Sequence, residues 1–256
     1  MNRYWNHDTF EISSYKYSLR ERVNQSYKTS GSDNTNLSTY TYNELGFRGD
    51  SVNKKGFKVM SIGCSLTEGV GVDDDETWPA QFCKLIPNAV NMNFGTGGRS
   101  NDFISRCLMS YYNLIKPDLV LIMYTYTNRK EFYTNDGGVE PFISSLKWGY
   151  MEETSDGKII QNNLSEIQNN NEDFINWYKN HQLIKLFLES KKCNFSWNGN
   201  FLNTTYVDDF RFDGDYVNFI DVGTDGKHPG PKHNKLYVNK LYNHFIDKNI
   251  ELKLMG

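Results

Sequence analysis

The stretch VMSIGCSLTEGVGV, Val59 to Val72, sets a thiol and a hydroxyl side by side where an apolar run stops at a glycine. Sheets built from strand–helix repeats present their ligands beyond the carboxyl ends of the strands, so a nucleophile on Cys64 or Ser65 would stand in the right place. Taken alone, a serine after a glycine at a strand end is ordinarily a turn or capping residue. The nucleophile elbow G-x-S-x-G needs a second glycine where this chain has Thr67, which disfavours the ordinary α/β-hydrolase. A thiol at a helix start is also a conceivable nucleophile. Neighbouring side chains on a turn point apart, however, so only one of Cys64 and Ser65 can face a cleft.

The C-terminal stretch TDGKHPGPKHNKLY supplies possible partners. Asp225 and His228 stand three apart in a loop constrained by Gly226, Pro229 and Gly230. At that spacing a carboxylate can reach one imidazole nitrogen and leave the other for a hydroxyl, the arrangement that acyl transfer uses on unrelated folds. In the absence of Ser65, Asp225 would read as a turn cap and His228 as an exposed loop residue. The third piece is NFGTGGRSND, Asn93 to Asp102. A dinucleotide fingerprint G-x-G-x-x-G would require glycine where Ser100 stands. What remains is a glycine-rich turn whose backbone N–H groups suit an oxyanion. His233, five residues after His228, has no cysteine or acidic cluster beside it, so a helix-surface histidine is expected there rather than a metal ligand.

These pieces need a scaffold. Strands are expected at Phe57 to Gly63, Ala89 to Gly95, Asp118 to Thr127 and Cys193 to Trp197. Helices are expected at Glu76 to Ile86, Ser100 to Ile115, Asn171 to Lys192 and Pro231 to about Ile250, the last opened by a proline suited to a first turn. The third of them should turn Ile175, Trp177, Leu183, Leu186 and Phe187 inward. Alternating strands and helices imply a three-layer α/β/α sandwich around a central, mostly parallel sheet, flavodoxin-like in outline. Residues 1–56 read as an N-terminal extension wrapped over a main domain of residues 57–256. Asn135 to Asn171 is too long for an ordinary connection and reads as a binding loop carrying Trp148 and Tyr150.

Bulk properties exclude several classes. With 256 residues the chain is long enough for one large domain. A net charge of −3 and no Lys/Arg cluster leave no footprint for nucleic acid. Cys64, Cys83, Cys107 and Cys193 are widely spaced with no CxxC pair, as reduced structural thiols would be. The N-terminus lacks a signal-peptide core, and no run reaches the roughly 18 apolar residues of a membrane span. Aromatic content of 15% beside a mean hydropathy of −0.66 suggests hydrogen-bonding aromatic surfaces suited to carbohydrate.

From about Tyr42 to Tyr242, outside the Asn135 to Asn171 excursion, the chain resembles the SGNH hydrolases, also called the GDSL esterase/lipase family. The family's first block is matched by Gly63, Cys64, Ser65, Leu66 and Thr67, followed by EGVGVDDDETWPAQF as in many bacterial and phage-encoded members. Its oxyanion glycine is matched best by Gly98 within NFGTGGRS, and its D-x-x-H block by Asp225 and His228, with the HPG that often follows. YNELGFRG, Tyr42 to Gly49, resembles a lead-in found in some members. Two departures stand out. Cys64 replaces the aspartate of the first block. The third block, G-x-N-D, places Asn128 on the asparagine but Tyr126 on the glycine and Arg129 on the aspartate, so either Asn128 or Thr127 would do that donor's work.

The resemblance implies a serine ester hydrolase with Ser65 as nucleophile, His228 as base and Asp225 as its orienting acid. Ser65, Gly98 and Asn128 would form the oxyanion hole, with no metal or organic cofactor. The expected substrate is a small molecule or an O-acylated glycan that loses a short acyl group, acetyl above all. No membrane insertion is expected, and the setting would be cytoplasmic or phage-particle associated. The rival is a catalytically weak or inactive module on the same fold, binding glycan or serving a phage particle.

Overall fold

The apolar runs of the chain pair side by side into one parallel sheet in the computed structural model, which describes residues 22–29, 37–133, 139–143, 170–199, 211–212 and 218–247. Strand β1 is Ser26–Thr29 and β2 Ser38–Thr41, an antiparallel pair ahead of the core. The core strands are β3 (Phe57–Gly63), β4 (Ala89–Gly95), β5 (Leu119–Met123) and, later, β8 (Asn194–Asn198). They are ordered β4-β3-β5-β8 and all parallel. Between them run α1 (Ser65–Glu68), a 3₁₀ turn (Asp74–Glu76), α2 (Trp78–Cys83), α3 (Asn101–Ile115) and α4 (Asn170–Ser190), with α5 (Pro231–Asp247) last.

Alternation along the strands divides the core in two. Met60, Ile62, Val90, Met92, Phe94, Val120 and Ile122 pack with α3 and α4 residues such as Phe103, Leu108, Trp177 and Leu188. Val59, Leu119, Leu121 and Met123 face the other way, onto Trp78, Phe82, Tyr237, Leu241 and Phe245. Helices therefore cover both faces, and the three-layer α/β/α architecture follows from the pattern of near-continuous apolar strands.

Local chemistry sets the boundaries. The expected strand to Thr127 stops at Met123, because the Asn101 side chain takes both the Thr125 N–H (3.0 Å) and the Thr125 carbonyl (3.1 Å). The helix expected from Glu76 is split by Thr77, whose hydroxyl accepts the Ala80 N–H and starts α2 afresh. On α4 the inward face is Trp177, His181, Ile184 and Leu188; Ile175, Leu183 and Leu186 are exposed, contrary to expectation. This helix is apolar on several sides, so spacing could not choose its face, and the buried His181 is held by the Tyr124 hydroxyl at 3.1 Å.

Arg129–Tyr133 (β6) and Val139–Ile143 (β7) form an antiparallel hairpin that was not expected and enters the long excursion. Most of that excursion, with Trp148 and Tyr150, lies outside the described residues, as do residues 248–256. The hairpin is anchored to α3: Arg106 forks onto Glu131 at 3.0 and 2.8 Å, and Asp102 accepts the Glu131 N–H at 2.9 Å. The other oxygen of Asp102 accepts the Asn176 and Asn180 amides, tying α3 to α4 as well.

Arg48 connects the leading segment to the core. Its guanidinium is buried, lies 4.0 Å from the Tyr40 ring centre, and donates to the carbonyls of Glu68, Gly69, Val72 and Thr39 and to Asp74. It thereby organises the turn that follows α1. Replacing it by methionine strips donors from several buried carbonyls, and Arg48→Met is expected to lower unfolding free energy by about 3 kcal/mol or more, read from urea denaturation.

Candidate active site

Ser65 sits at the carboxyl edge of the sheet because two glycines let α1 press against it. A Cβ on Gly63 would stand 2.1 Å from Thr67 Oγ1, and one on Gly95 would stand 2.1 Å from the Glu68 backbone nitrogen. Neither strand end could carry a side chain without lifting the helix. Cys64 is the N-cap residue, 4% exposed, and belongs to the apolar cluster that also holds Leu66, Trp78 and Met123. Ser65 is the first residue of α1 and half-buried, so its N–H has no acceptor within the helix.

Residues 222–229 close into a tight loop, with Val222 bridged to Pro229 and the Gly223 N–H donating to the His228 carbonyl at 2.8 Å. Asp221 ends the loop by accepting the Lys232 and His233 N–H groups at the start of α5. Inside it, Asp225 Oδ1 accepts the N–H groups of Lys227 and His228, and Oδ2 lies 2.5 Å from His228 Nδ1. His228 Nε2 is 3.0 Å from Ser65 Oγ. Three side chains, two of them three positions apart and the third 163 positions from His228, thus form one hydrogen-bonded row. Burial pushes the Asp225 carboxyl up, but the hydrogen bonds from the His228 ring and from the two backbone N–H groups outweigh it and hold the carboxyl below its ordinary value. The carboxylate is therefore ionised at neutral pH and favours the imidazole tautomer with its proton on Nδ1.

What brings the loop to the serine is another close backbone approach. A Cβ on Gly223 would stand 2.5 Å from the Gly71 carbonyl oxygen, and one on Gly71 would stand 2.6 Å from Asp225 Oδ1, at a φ of +86° that itself favours glycine. Thr224 donates its N–H to the Gly71 carbonyl at 2.7 Å, and its hydroxyl is 2.9 Å from that of Ser38 in β2. The Gly71 N–H donates to the Tyr40 hydroxyl at 2.6 Å. Burial pushes that phenol up to about 12, so it stays a neutral partner.

The glycine-rich turn follows β4. Its Gly97 N–H donates to Glu68 Oε2 at 2.6 Å, and a Cβ on Gly97 would come within 3.8 Å of Ser65 Cβ, so the turn lies against the serine. Gly98 follows at φ +72° with open space beside its Cα. Thr127 and Asn128 occupy the turn between β5 and β6, where the Arg129 N–H donates to the Tyr126 carbonyl at 3.3 Å. His233 is not on the helix surface as expected: it is 2% exposed, with the Ile220 N–H donating to its Nδ1 at 3.4 Å and Phe219 packed on its ring. Among the described residues no group of three His, Cys, Asp or Glu could hold a metal ion, and no helix is long and apolar enough to cross a membrane.

Sequence reasoning overlooked Glu68, Tyr40, Arg48, Gly71 and Gly223 as site residues. The signal for Glu68 was its place three residues after Ser65, on the same side of a helix. Arg48 lies within the YNELGFRG segment, whose role the resemblance did not give; for Tyr40, Gly71 and Gly223 no local signal existed, since their partners lie far away in the chain. The close contact at Gly71 has a direct consequence. Gly71→Ala should push Asp225 away from His228, and the far-downfield proton resonance expected in the parent protein for a strongly hydrogen-bonded imidazole Nδ1–H should shift upfield or vanish in the variant.

No family model matches the chain, and no curated protein sequence does. Solved structures with a similar course of chain include a carbohydrate esterase of family 3 from Clostridium thermocellum, at 15% identity and a TM-score of 0.37, covering 77% of this chain and 99% of that one. A member of the lipolytic G-D-S-L protein family from Veillonella parvula matches at 16% identity and a TM-score of 0.35, over 74% of this chain and 98% of its own. A GDSL-like lipase from Bacteroides thetaiotaomicron matches at 14% identity and 0.30, over 75% and 89%. These are distant similarities, and neither a reaction nor a substrate passes to this chain through them.

Proposed function

We propose that the protein is a serine carboxylic ester hydrolase. The observation that carries the reading is the row Asp225, His228, Ser65, with donor and acceptor atoms 2.5 and 3.0 Å apart. Ser65 Oγ attacks the ester carbonyl carbon while His228 Nε2 accepts its proton, and Asp225 holds the imidazole and the charge it acquires. The carbonyl oxygen, now an oxyanion, accepts hydrogen bonds from the N–H groups of Ser65 and Gly98, with Asn128 as a side-chain donor. His228 then passes the proton to the leaving alcohol. Water, deprotonated by the same imidazole, attacks the acyl-serine and restores the hydroxyl.

A small or carbohydrate ester bearing a short acyl group, acetyl above all, is the substrate this reading favours. Tyr126, 48% exposed beside the Asn128 turn and capped by the Arg129 guanidinium 5.1 Å from its ring centre, offers the amphipathic face on which a sugar ring can lie. The same pair favours the second reading, a binding module with little or no activity, because Tyr126 and Arg129 stand where the resemblance calls for glycine and aspartate.

The two readings separate on p-nitrophenyl acetate. The hydrolase should turn it over, Ser65→Ala should lose at least about 10⁴-fold in kcat, and Cys64→Ala should stay within a few-fold of the parent. Turnover that survives in Ser65→Ala would sink the serine mechanism, and an inert parent protein moves the weight to the binding module. The third donor is assigned by a pair of variants: Asn128→Ala is expected to lower kcat by about 10²-fold or more with little change in KM, and Thr127→Val to leave kcat nearly unchanged. The reverse pattern hands the role to Thr127.

A further inference from the structure

Glu68 is a buried carboxylate, 3% exposed, that the acyl-transfer steps do not use. Burying a carboxylate is costly unless its oxygens are engaged, and both of them are. Oε2 accepts the Gly97 N–H at 2.6 Å. Oε1 accepts from the Arg22 guanidinium at 2.8 Å and from the Tyr42 hydroxyl at 2.9 Å. Tyr42 is in turn 3.2 Å from the Tyr27 hydroxyl, and Arg22 lies over the Tyr42 ring. Three donors from two distant parts of the chain thus converge on one side chain.

The contact with Gly97 bears on Ser65. With its N–H held, the peptide plane before Gly97 cannot turn, and the Gly97 Cα is pinned between Glu68 and the serine, since a Cβ there would stand 3.1 Å from Glu68 Oε2 and 3.8 Å from Ser65 Cβ. The next N–H in the turn is that of Gly98. The Gly95 contact fixes the other end, because the Glu68 backbone nitrogen rests on that strand terminus.

Resting on the serine-hydrolase reading, we propose that Glu68 is a positioning residue of the oxyanion hole: it holds the Gly97–Gly98 turn so that the Gly98 N–H faces the developing oxyanion, and Arg22 and Tyr42 hold Glu68. The leading segment thereby reaches the reacting atoms through one carboxylate. An amide replaces it only in part, because a glutamine that keeps its oxygen on the Gly97 N–H turns its own N–H groups toward Arg22, and in the other orientation turns them toward the Gly97 N–H.

The test compares the parent protein, Glu68→Gln and Tyr42→Phe on p-nitrophenyl acetate, with a simple trifluoromethyl ketone as inhibitor, whose adduct with Ser65 carries an oxyanion. Glu68→Gln is expected to lower kcat about 10- to 100-fold with KM within about twofold, and to weaken ketone inhibition by the same factor as kcat/KM. Tyr42→Phe should move both quantities in the same direction by about 3- to 10-fold, and the shape of the pH profile should not change in either variant. A melting temperature that falls while kcat and ketone inhibition stay at parent values overturns the proposal, as does a loss of kcat with ketone inhibition intact. If Glu68→Gln does not fold, Tyr42→Phe decides by the same two quantities. Failure of the underlying reading looks different: the parent turns over no ester, or Ser65→Ala retains its turnover.

Discussion

Close approach to glycines is the constraint on which this structure depends. At the ends of β3 and β4 the missing side chains of Gly63 and Gly95 let α1 rest on the sheet, and at Gly71 and Gly223 two loops meet with no side chain between them. The contacts act in series. The first pair sets the depth of Ser65, and the second sets how near Asp225 and His228 come to it. A hydrogen-bonded row of three side chains tolerates errors of only a few tenths of an ångström, and backbone atoms hold position better than long side chains do.

Polar groups ahead of the core extend this arrangement. Arg48 gathers the carbonyls around the α1 turn, Tyr40 receives the Gly71 N–H, and Ser38 meets Thr224 next to Asp225. Segments that would read as decoration in a minimal sandwich thus supply the hydrogen bonds that orient the site. The physical reason is the short connection after β3: a four-residue helix followed by a turn leaves many backbone groups without partners, and buried backbone groups must find them. At the start of α3, Asp102 and Arg106 do the comparable task for the hairpin that begins just after the Asn128 turn.

Much of the framework was legible from the chain, for reasons that differ between elements. β3 and β4 were readable to the residue because a glycine ends each and apolar residues recur along both. The start of α3 was equally plain, since the Ser100 hydroxyl accepts the Phe103 N–H as an N-cap should. The end of β5 was not, because the residue that stops it, Asn101, belongs to another element. The inward face of α4 failed in the same way, being chosen by Tyr124 and the sheet rather than by the helix's own periodicity. His233 was misread because charge around a histidine can be seen in a sequence, whereas the lid of Phe219 and Ile220 over it cannot.

The sequence by itself determined the local chemistry: which strand ends could host a nucleophile, that Asp225 could hold His228 three residues on, and that a glycine-rich turn stood ready for an oxyanion. Those are matters of spacing within a few residues. Only the tertiary structure decided where the thiol and the hydroxyl lie, with Cys64 in the apolar cluster that also holds Trp78 and with His228 Nε2 3.0 Å from Ser65 Oγ. It alone also brought Glu68, Arg22, Tyr42 and Gly97 together. Such contacts join segments tens of residues apart, and their geometry is set by the packing of layers and the close approach of loops, which no short stretch of sequence encodes.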